Sequence, residues 1–309
     1  MDAPAQLQLF YCDHYDFPLQ PGHKFPLQKY RLLRKRIAGD DRFALSPSTF
    51  ADVNALLRIH SREYVESFLD GSISHLAMRR IGFPWSRELV LRTLASAGGT
   101  LLATGAALRD GFSGNLAGGT HHAFRHEGSG FCVFNDLAVS IAYAREELGV
   151  RRAAVIDLDV HQGDGTAAIF RGNSNVFTLS LHGASNFPFH KQTSSADLEL
   201  PDKTDDDQYL DTLQRGLQLI WSFDPEFVLF QSGVDALESD RLGRLSLSRN
   251  GLMQRNRIVL EETKRRGIPV VITLGGGYSE PINLTVDAHQ DTFLAAADIY
   301  GPPVACRST

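Results

Sequence analysis

Five short runs of apolar and β-branched residues limit what this chain can fold into: LQLFY (Leu7–Tyr11), AAVIDLD (Ala153–Asp159), VFTLSL (Val176–Leu181), FVLFQSG (Phe227–Gly233) and IPVVITLG (Ile268–Gly275). Each is shorter than a typical helix and lacks the polar alternation of a half-exposed strand. They read as strands buried on both faces. Helical patterns lie between them. NDLAVSIAYAREEL (Asn135–Leu148) opens on an asparagine suited to capping and stops before Gly149. Asp206–Phe223 and Ser248–Arg266 carry apolar residues at three- and four-residue steps, the second ending at Gly267 before Ile-Pro. The alternation predicts an α/β fold with helices on both faces of a parallel sheet. No repeat, low-complexity tract or Pro/Ser-rich linker divides the 309 residues, so residues 1–309 read as a single domain.

In such sheets ligands bind beyond the C-terminal ends of the strands. Asp157, Asp159 and His161 end one strand, Asp235 follows another, Gly275–Tyr278 follows a third, and His121 and His122 follow NLAGG. An aspartate beside a histidine is usually a cap or a hydrogen-bonded loop pair. Here an extended strand end would put Asp157, Asp159 and His161 on one face, where unpaired acids repel and are costly to desolvate. A bound cation removes that cost, and two carboxylates with one imidazole match a catalytic zinc site open to water.

Competing readings are weaker. The stretch D-x-D-x-H-x-G-D-G has its glycine one place late for an EF-hand, has Ala168 where a bidentate Glu belongs, and follows a strand. A two-metal site lacks a second aspartate after Asp235, where Leu237 stands. Gly275–Tyr278 (GGGY) fits neither phosphate-loop pattern; its glycines allow close backbone approach and aim a tyrosine donor. A histidine pair is more often structural than catalytic, but beside a metal and paired with acids it becomes a candidate acid–base pair.

Charge and cysteine usage exclude several classes. A net charge of -5 and a pI near 6.1 give no electrostatic reason to expect nucleic-acid or anionic-membrane binding. Cys12, Cys132 and Cys306 show no CxxC spacing, which points to a reducing compartment. No signal peptide and no uninterrupted membrane-length apolar stretch is evident, so the expected location is cytoplasmic.

Four ordered motifs, GGTHHAFRHEGSGFCVFND (Gly118–Asp136), VIDLDVHQGDGT (Val155–Thr166), QSGVDAL (Gln231–Leu237) and LGGGY (Leu274–Tyr278), resemble the zinc-dependent histone deacetylase family, the classical lysine deacylases. The resemblance spans nearly the whole chain. PGHKFPLQKY (Pro21–Tyr30) and NFPFHK (Asn186–Lys191) look most like its class IV branch. It implies the arginase–deacetylase fold, a central, mostly parallel eight-stranded sheet flanked by helices on both faces.

By this resemblance Asp159, His161 and Asp235 bind one zinc, His121 and His122 are tandem catalytic histidines partnered by Asp157 and Asp164, and Tyr278 polarises the acyl carbonyl. Gly130, Phe131, Phe187 and Leu242 are expected to line an acyl-lysine tunnel. Asp157, Asp159, His161, Ser180 and Leu181 match an inner potassium site, largely through main-chain oxygens. Phe170, Asn173 and Val176 match an outer one, with Asn173 a departure from the family pattern. Gln162 stands where the family often has a second histidine, and reads as a surface neighbour that touches no ligand. The implied substrate is an acyl-lysine protein or peptide, with a small acylated amine such as an acetylpolyamine as the alternative. A silent acyl-lysine-binding module is disfavoured because every catalytic position is filled.

Overall fold

The computed structural model describes residues 6–301, so Cys306 lies outside the described residues. In chain order the elements are β1 (Leu7–Tyr11), α1 (Gln28–Ile37), β2 (Phe43–Pro47), α2 (Val53–Leu57), α3 (Arg62–Asp70), α4 (His75–Ile81) and α5 (Arg87–Asp110). There follow β3 (Phe112–Asn115), α6 (Asp136–Glu147), β4 (Ala153–Asp157), α7 (Asp164–Phe170), β5 (Val176–Gly183) and β6 (Ala196–Leu200). The last are α8 (Asp206–Phe223), β7 (Phe227–Gln231), α9 (Arg249–Arg266), β8 (Val270–Thr273) and α10 (Asn283–Tyr300).

The eight strands form one sheet in the order β2-β1-β3-β8-β7-β4-β5-β6, and every pairing is parallel. The expected eight-stranded α/β sheet is therefore present, and it is wholly rather than mostly parallel. Alternate residues of one strand feed opposite cores, as a two-residue period requires. Ala154 and Ile156 of β4, Phe230 of β7 and Ile272 of β8 pack on the face covered by α1, α8, α9 and α10. Val155, Leu229 and Val271 pack on the face covered by α2 to α6. Burying one such side chain contributes roughly 1.5–3 kcal/mol, so the double cover explains why these runs are apolar throughout.

The helix ends follow their sequences. Asn135 caps α6 by accepting from the Ala138 N–H at 2.9 Å, and Ser248 caps α9 through the Gly251 N–H at 3.0 Å. Gly267 closes α9 in the left-handed conformation, φ 67°. Among the described residues α5 is long and apolar enough to cross a membrane, yet it packs against β1, β3, β8 and α6 as a core helix.

The four central strands, β3, β8, β7 and β4, end side by side. Each ends within or shortly before one of the four sequence motifs. The fold thus gathers the unusual residues at one edge of the sheet.

Candidate metal centre and active site

The chain leaves strand geometry at Asp157, two residues earlier than its apolar run suggests. Its own carboxylates turn it: the Asp159 N–H donates to Asp157 Oδ1 at 3.2 Å, and the His161 N–H donates to Asp159 Oδ1 at 3.0 Å. Such local side-chain bonds favour turns over continued strand. The bend overturns the expectation that Asp157, Asp159 and His161 share one face. Asp157 swings to His121, while Asp159 and His161 meet Asp235 from the end of β7.

Asp159, His161 and Asp235 are buried, and their donor atoms lie within 4.8 Å of one another. His161 Nδ1 sits 3.0 Å from Asp159 Oδ1 and 3.1 Å from Asp235 Oδ2. The other carboxylate oxygens are held by backbone: the Gly276 N–H donates to Asp159 Oδ2 at 2.7 Å and the Val160 N–H to Asp235 Oδ1 at 2.9 Å. One oxygen of each acid is thereby aimed at a shared point. Burial and the charge of Asp159 push the Asp235 carboxyl up to about 7. Burial alone would lower His161, but hydrogen bonds to the two acids lift it to about 10. The cluster demands positive charge, and two oxygens with one imidazole nitrogen fit a divalent transition metal.

Gly276 explains how the loop after β8 closes over these acids. A Cβ there would collide with the Asp235 carboxylate and come within 2.9 Å of Asp159 Oδ2.

The histidine pair sits beside the cluster, with ring centroids 4.1 Å apart. His121 Nδ1 donates to Asp157 Oδ2 at 2.7 Å, and His122 Nδ1 to Asp164 Oδ1 at 2.6 Å. Both rings are buried, yet their surroundings set them apart. Burial opposes a charge on His121, but Asp157 and Asp159 outweigh it and raise the ring to about 9. Burial, reinforced by the charge on His121, lowers His122 to about 4. One imidazole is thus cationic near neutrality and the other is neutral.

Tyr278 follows the glycine loop, and burial followed by the nearby Asp235 and Asp159 charges raises its hydroxyl well above the usual range. Its backbone N–H donates to Asp240 Oδ2 at 2.6 Å, and Asp240 Oδ1 accepts from Leu242 and Gly243 at 2.8 and 3.0 Å. Below the loop, buried Lys29 donates to Gly275 O at 2.8 Å and lies 5.5 Å from the Tyr278 ring centroid. Burial lowers that lysine to about 8.

These groups open on a cavity of about 560 Å³. Gly130, Phe131, Phe187 and Leu242 line it, as do His121, His122, Asp159, His161, Asp235 and Tyr278. Phe187 meets the His122 ring edge-on at 4.9 Å. Asn186 joins the two walls: its Nδ2 donates to Leu242 O at 2.8 Å, and its Oδ1 accepts from the Arg244 N–H at 3.2 Å. The cavity runs from an exposed rim with Lys24, Arg80, Phe189 and Arg244 to a buried wall on α5.

Asp157 and Ser180 are direct neighbours across β4 and β5, and Leu181 is next in β5. Phe170, Asn173 and Val176 share one turn, in which Asn173 N–H donates to Phe170 O and Val176 N–H to Asn173 O. Gln162 departs from expectation. It is fully buried, donates to Gln192 O at 2.8 Å and Asp197 Oδ1 at 2.7 Å, and accepts from the Gln192 N–H. It anchors the segment after the Phe187 wall rather than facing solvent. Sequence reasoning also missed Asp240 and Lys29. Lys29 stands inside the PGHKFPLQKY segment and Asp240 just after QSGVDAL, but neither residue was singled out.

An arrangement of this kind has relatives among known proteins. The histone deacetylase domain model matches residues 23–292. An uncharacterized protein of Picosynechococcus is 41% identical over 296 residues, covering 94% of this chain and 98% of its own. Histone deacetylase 2 of Arabidopsis thaliana is 27% identical, over 90% of this chain and 76% of its own. The crystal structure of a histone deacetylase homologue from Aquifex aeolicus superposes with a TM-score of 0.79 at 26% identity, covering 94% of this chain and 84% of that one. With its fold, its ordered motifs and the span of the family match in agreement, this chain belongs to the histone deacetylase family and is a hydrolase of that type.

Proposed function

We propose that the chain is a zinc-dependent amidohydrolase that removes acyl groups, acetyl or longer, from the Nε amine of lysine in proteins or peptides. The observation that carries this is the convergence of a three-donor metal cluster, an acid-held neutral histidine and a buried tyrosine on one cavity. Asp159, His161 and Asp235 would hold one zinc per chain, with coordination left open to the cavity. Bound there, zinc lowers the pKa of a coordinated water and draws charge from the amide oxygen.

The protein's own groups supply the rest. His122 keeps its Nδ1–H on Asp164, so Nε2 is the atom free to act. Its lowered pKa leaves Nε2 able to take the proton of the attacking water at neutral pH and then pass it to the departing lysine nitrogen. His121, held against Asp157, keeps positive charge beside the reaction. Burial keeps the Tyr278 hydroxyl protonated, ready to donate to the acyl oxygen as charge develops there. A lysine amine and a carboxylate leave.

Rim charge favours acyl-lysine over an acetylpolyamine. Among the described residues the only carboxylates lining the cavity are Asp159 and Asp235, whereas Lys24, Arg80 and Arg244 stand at its mouth. Arg80 and Arg244 are paired with Glu127 and Asp202, so the lining offers a polycation no free carboxylate beyond the metal cluster. Potassium is assigned structural sites at the Asp157–Ser180 neighbourhood and at the Phe170–Val176 turn. The same reading takes residues 1–309 as one cytoplasmic catalytic domain of the class IV branch, since PGHKFPLQKY and NFPFHK both supply cavity residues. The test is turnover by purified, zinc-loaded protein of acyl-lysine peptides against acetylated polyamines. Release of free lysine from the peptides supports the reading; turnover of the polyamines alone overturns it.

A further inference from the structure

The inner wall of the cavity carries a charge that amide hydrolysis does not use. Leu89, Arg92, Thr93, Ser96 and Ala97 form one face of α5 and line the cavity. Arg92 is only 6% exposed. Its single hydrogen bond among the described residues runs from Nη1 to Cys12 O at 2.9 Å, and its guanidinium stacks 4.5 Å from the Tyr30 ring centroid. No carboxylate among the described residues pairs with it. Asp13 is taken by Arg34 at 2.6 Å, and Asp136 by Thr100, Gly119 and Thr120. Guanidinium is the side chain best shaped to hold a carboxylate through paired N–H donors, and it is seldom buried without such a partner.

We propose that Arg92 makes the inner end of the cavity a carboxylate-binding site. The inference rests on the lysine-deacylase reading and narrows its substrate class. A carboxylate reaches this wall from one of two sources: the ω-carboxylate of a dicarboxylic acyl group on lysine, or the acid released by hydrolysis. The first is the sharper possibility, because Arg92 lines the same cavity as Asp159 and Tyr278, so an acyl chain held at that site shares its space with the guanidinium. An alkyl end there would dehydrate the guanidinium and give nothing back, whereas a carboxylate end satisfies its remaining donors. Hydrolysis of such a substrate is ordinary: water adds across the amide, releasing the lysine amine and the diacid.

The experiment compares kcat/KM on one lysine peptide carrying acyl groups matched in length: hexanoyl against adipoyl, and octanoyl against suberoyl. Wild type, Arg92→Leu and Arg92→Lys are measured, with acetyl-lysine as the reference substrate and free hexanoate as a product-like inhibitor. The expected result is a preference of at least tenfold for the ω-carboxylate at the length that reaches Arg92. It should vanish in Arg92→Leu and partly return in Arg92→Lys. No ω-preference at either length, with hexanoate inhibiting wild type at least tenfold more strongly than Arg92→Leu, assigns the site to the released acid. No ω-preference together with equal inhibition overturns the proposal. If Arg92→Leu lacks a native melting transition, Arg92→Gln takes its place. Failure of wild type to hydrolyse acetyl-lysine and every other acyl-lysine would sink the deacylase reading itself, an outcome distinct from loss of the ω-preference alone.

Discussion

Asp240 accepts the backbone N–H of Tyr278 at 2.6 Å, and through its other oxygen it holds Leu242 at 2.8 Å. One buried carboxylate therefore fixes both a candidate oxyanion donor and a wall of the cavity. Asparagine at this place keeps the shape but turns a donor toward one of those N–H groups. Asp240→Asn is expected to lower kcat about tenfold and raise KM while zinc content stays at the wild-type level. Unchanged kcat with a displaced Leu242 would show that Asp240 only shapes the wall.

Tyr278→Phe removes one hydroxyl and no metal ligand. We expect zinc and fold to be retained and kcat to drop roughly 10²–10³, the usual cost of one lost oxyanion donor. His122→Ala should be at least as harmful, since no other described side chain pairs with Asp164 to carry the proton. His121→Ala should be milder. Steady-state kinetics beside metal analysis decide this; a Tyr278→Phe enzyme retaining most of its activity would contradict the role.

Metal content follows from the donor set. One complete three-donor cluster predicts one tightly held zinc per chain. Asp159→Ala or Asp235→Ala should empty it and abolish turnover, and Gly276→Ala should weaken it by forcing a methyl group into the acids. Two equivalents in the wild type, both needed for activity, would overturn the single-metal mechanism.

How much of this was legible differs by residue. β4, β7 and β8 declared themselves because both faces are buried and every position before the last is apolar. β2 and β6 did not, because they are edge strands: ADLEL is half-exposed along most of its length. β3 is only FSGN, and Gly114 stands where a Cβ would come within 2.9 Å of Phe293. Its interior place comes from tertiary packing that no local pattern reports. Within the site, residues at strand ends were readable because acids beside apolar runs are conspicuous. Gln162 looked like a surface position and Asp240 carried no signal of its own, and both are buried because distant segments close over them. Asp157 was placed on the wrong face because the turn that redirects it is made by side chains, not by strand periodicity.

Acid sensitivity should trace in part to His60. Its Nδ1–H donates to Phe124 O at 2.9 Å while Nε2 accepts from the Asn135 N–H at 2.9 Å, so the ring is held neutral. Burial lowers it from 6.5 to about 4. Above pH 6.5 neither folded nor unfolded chain carries this proton, and His60 adds no pH dependence. Between 6.5 and about 4 the unfolded chain binds more protons, so stability falls as pH falls, by about 3 kcal/mol in full. Denaturant unfolding at pH 7 and pH 5 should show His60→Gln losing about 2 kcal/mol less than wild type over that interval. Equal losses would remove His60 from the account.

Acyl length tests whether the inner part of the cavity is used. Each methylene placed in an open apolar channel contributes up to about 0.8 kcal/mol, nearly fourfold in binding. A closed channel instead imposes an overpacking penalty of roughly 1–3 kcal/mol, so the two cases diverge steeply with chain length. The α5 face lines the same cavity as the metal cluster, and Ser96 and Ala97 there leave room that larger side chains would fill. We therefore expect butanoyl- and hexanoyl-lysine peptides, whose chains stop short of or at Arg92, to be hydrolysed with kcat/KM at least equal to that of acetyl-lysine. The gain per methylene should level off where the chain meets Arg92. Ala97→Leu, which puts added methyl groups into the same space, should depress the longer-chain substrates and spare acetyl-lysine. A wild type that hydrolyses acetyl-lysine and refuses every longer chain would refute the open-channel reading and leave the metal chemistry intact.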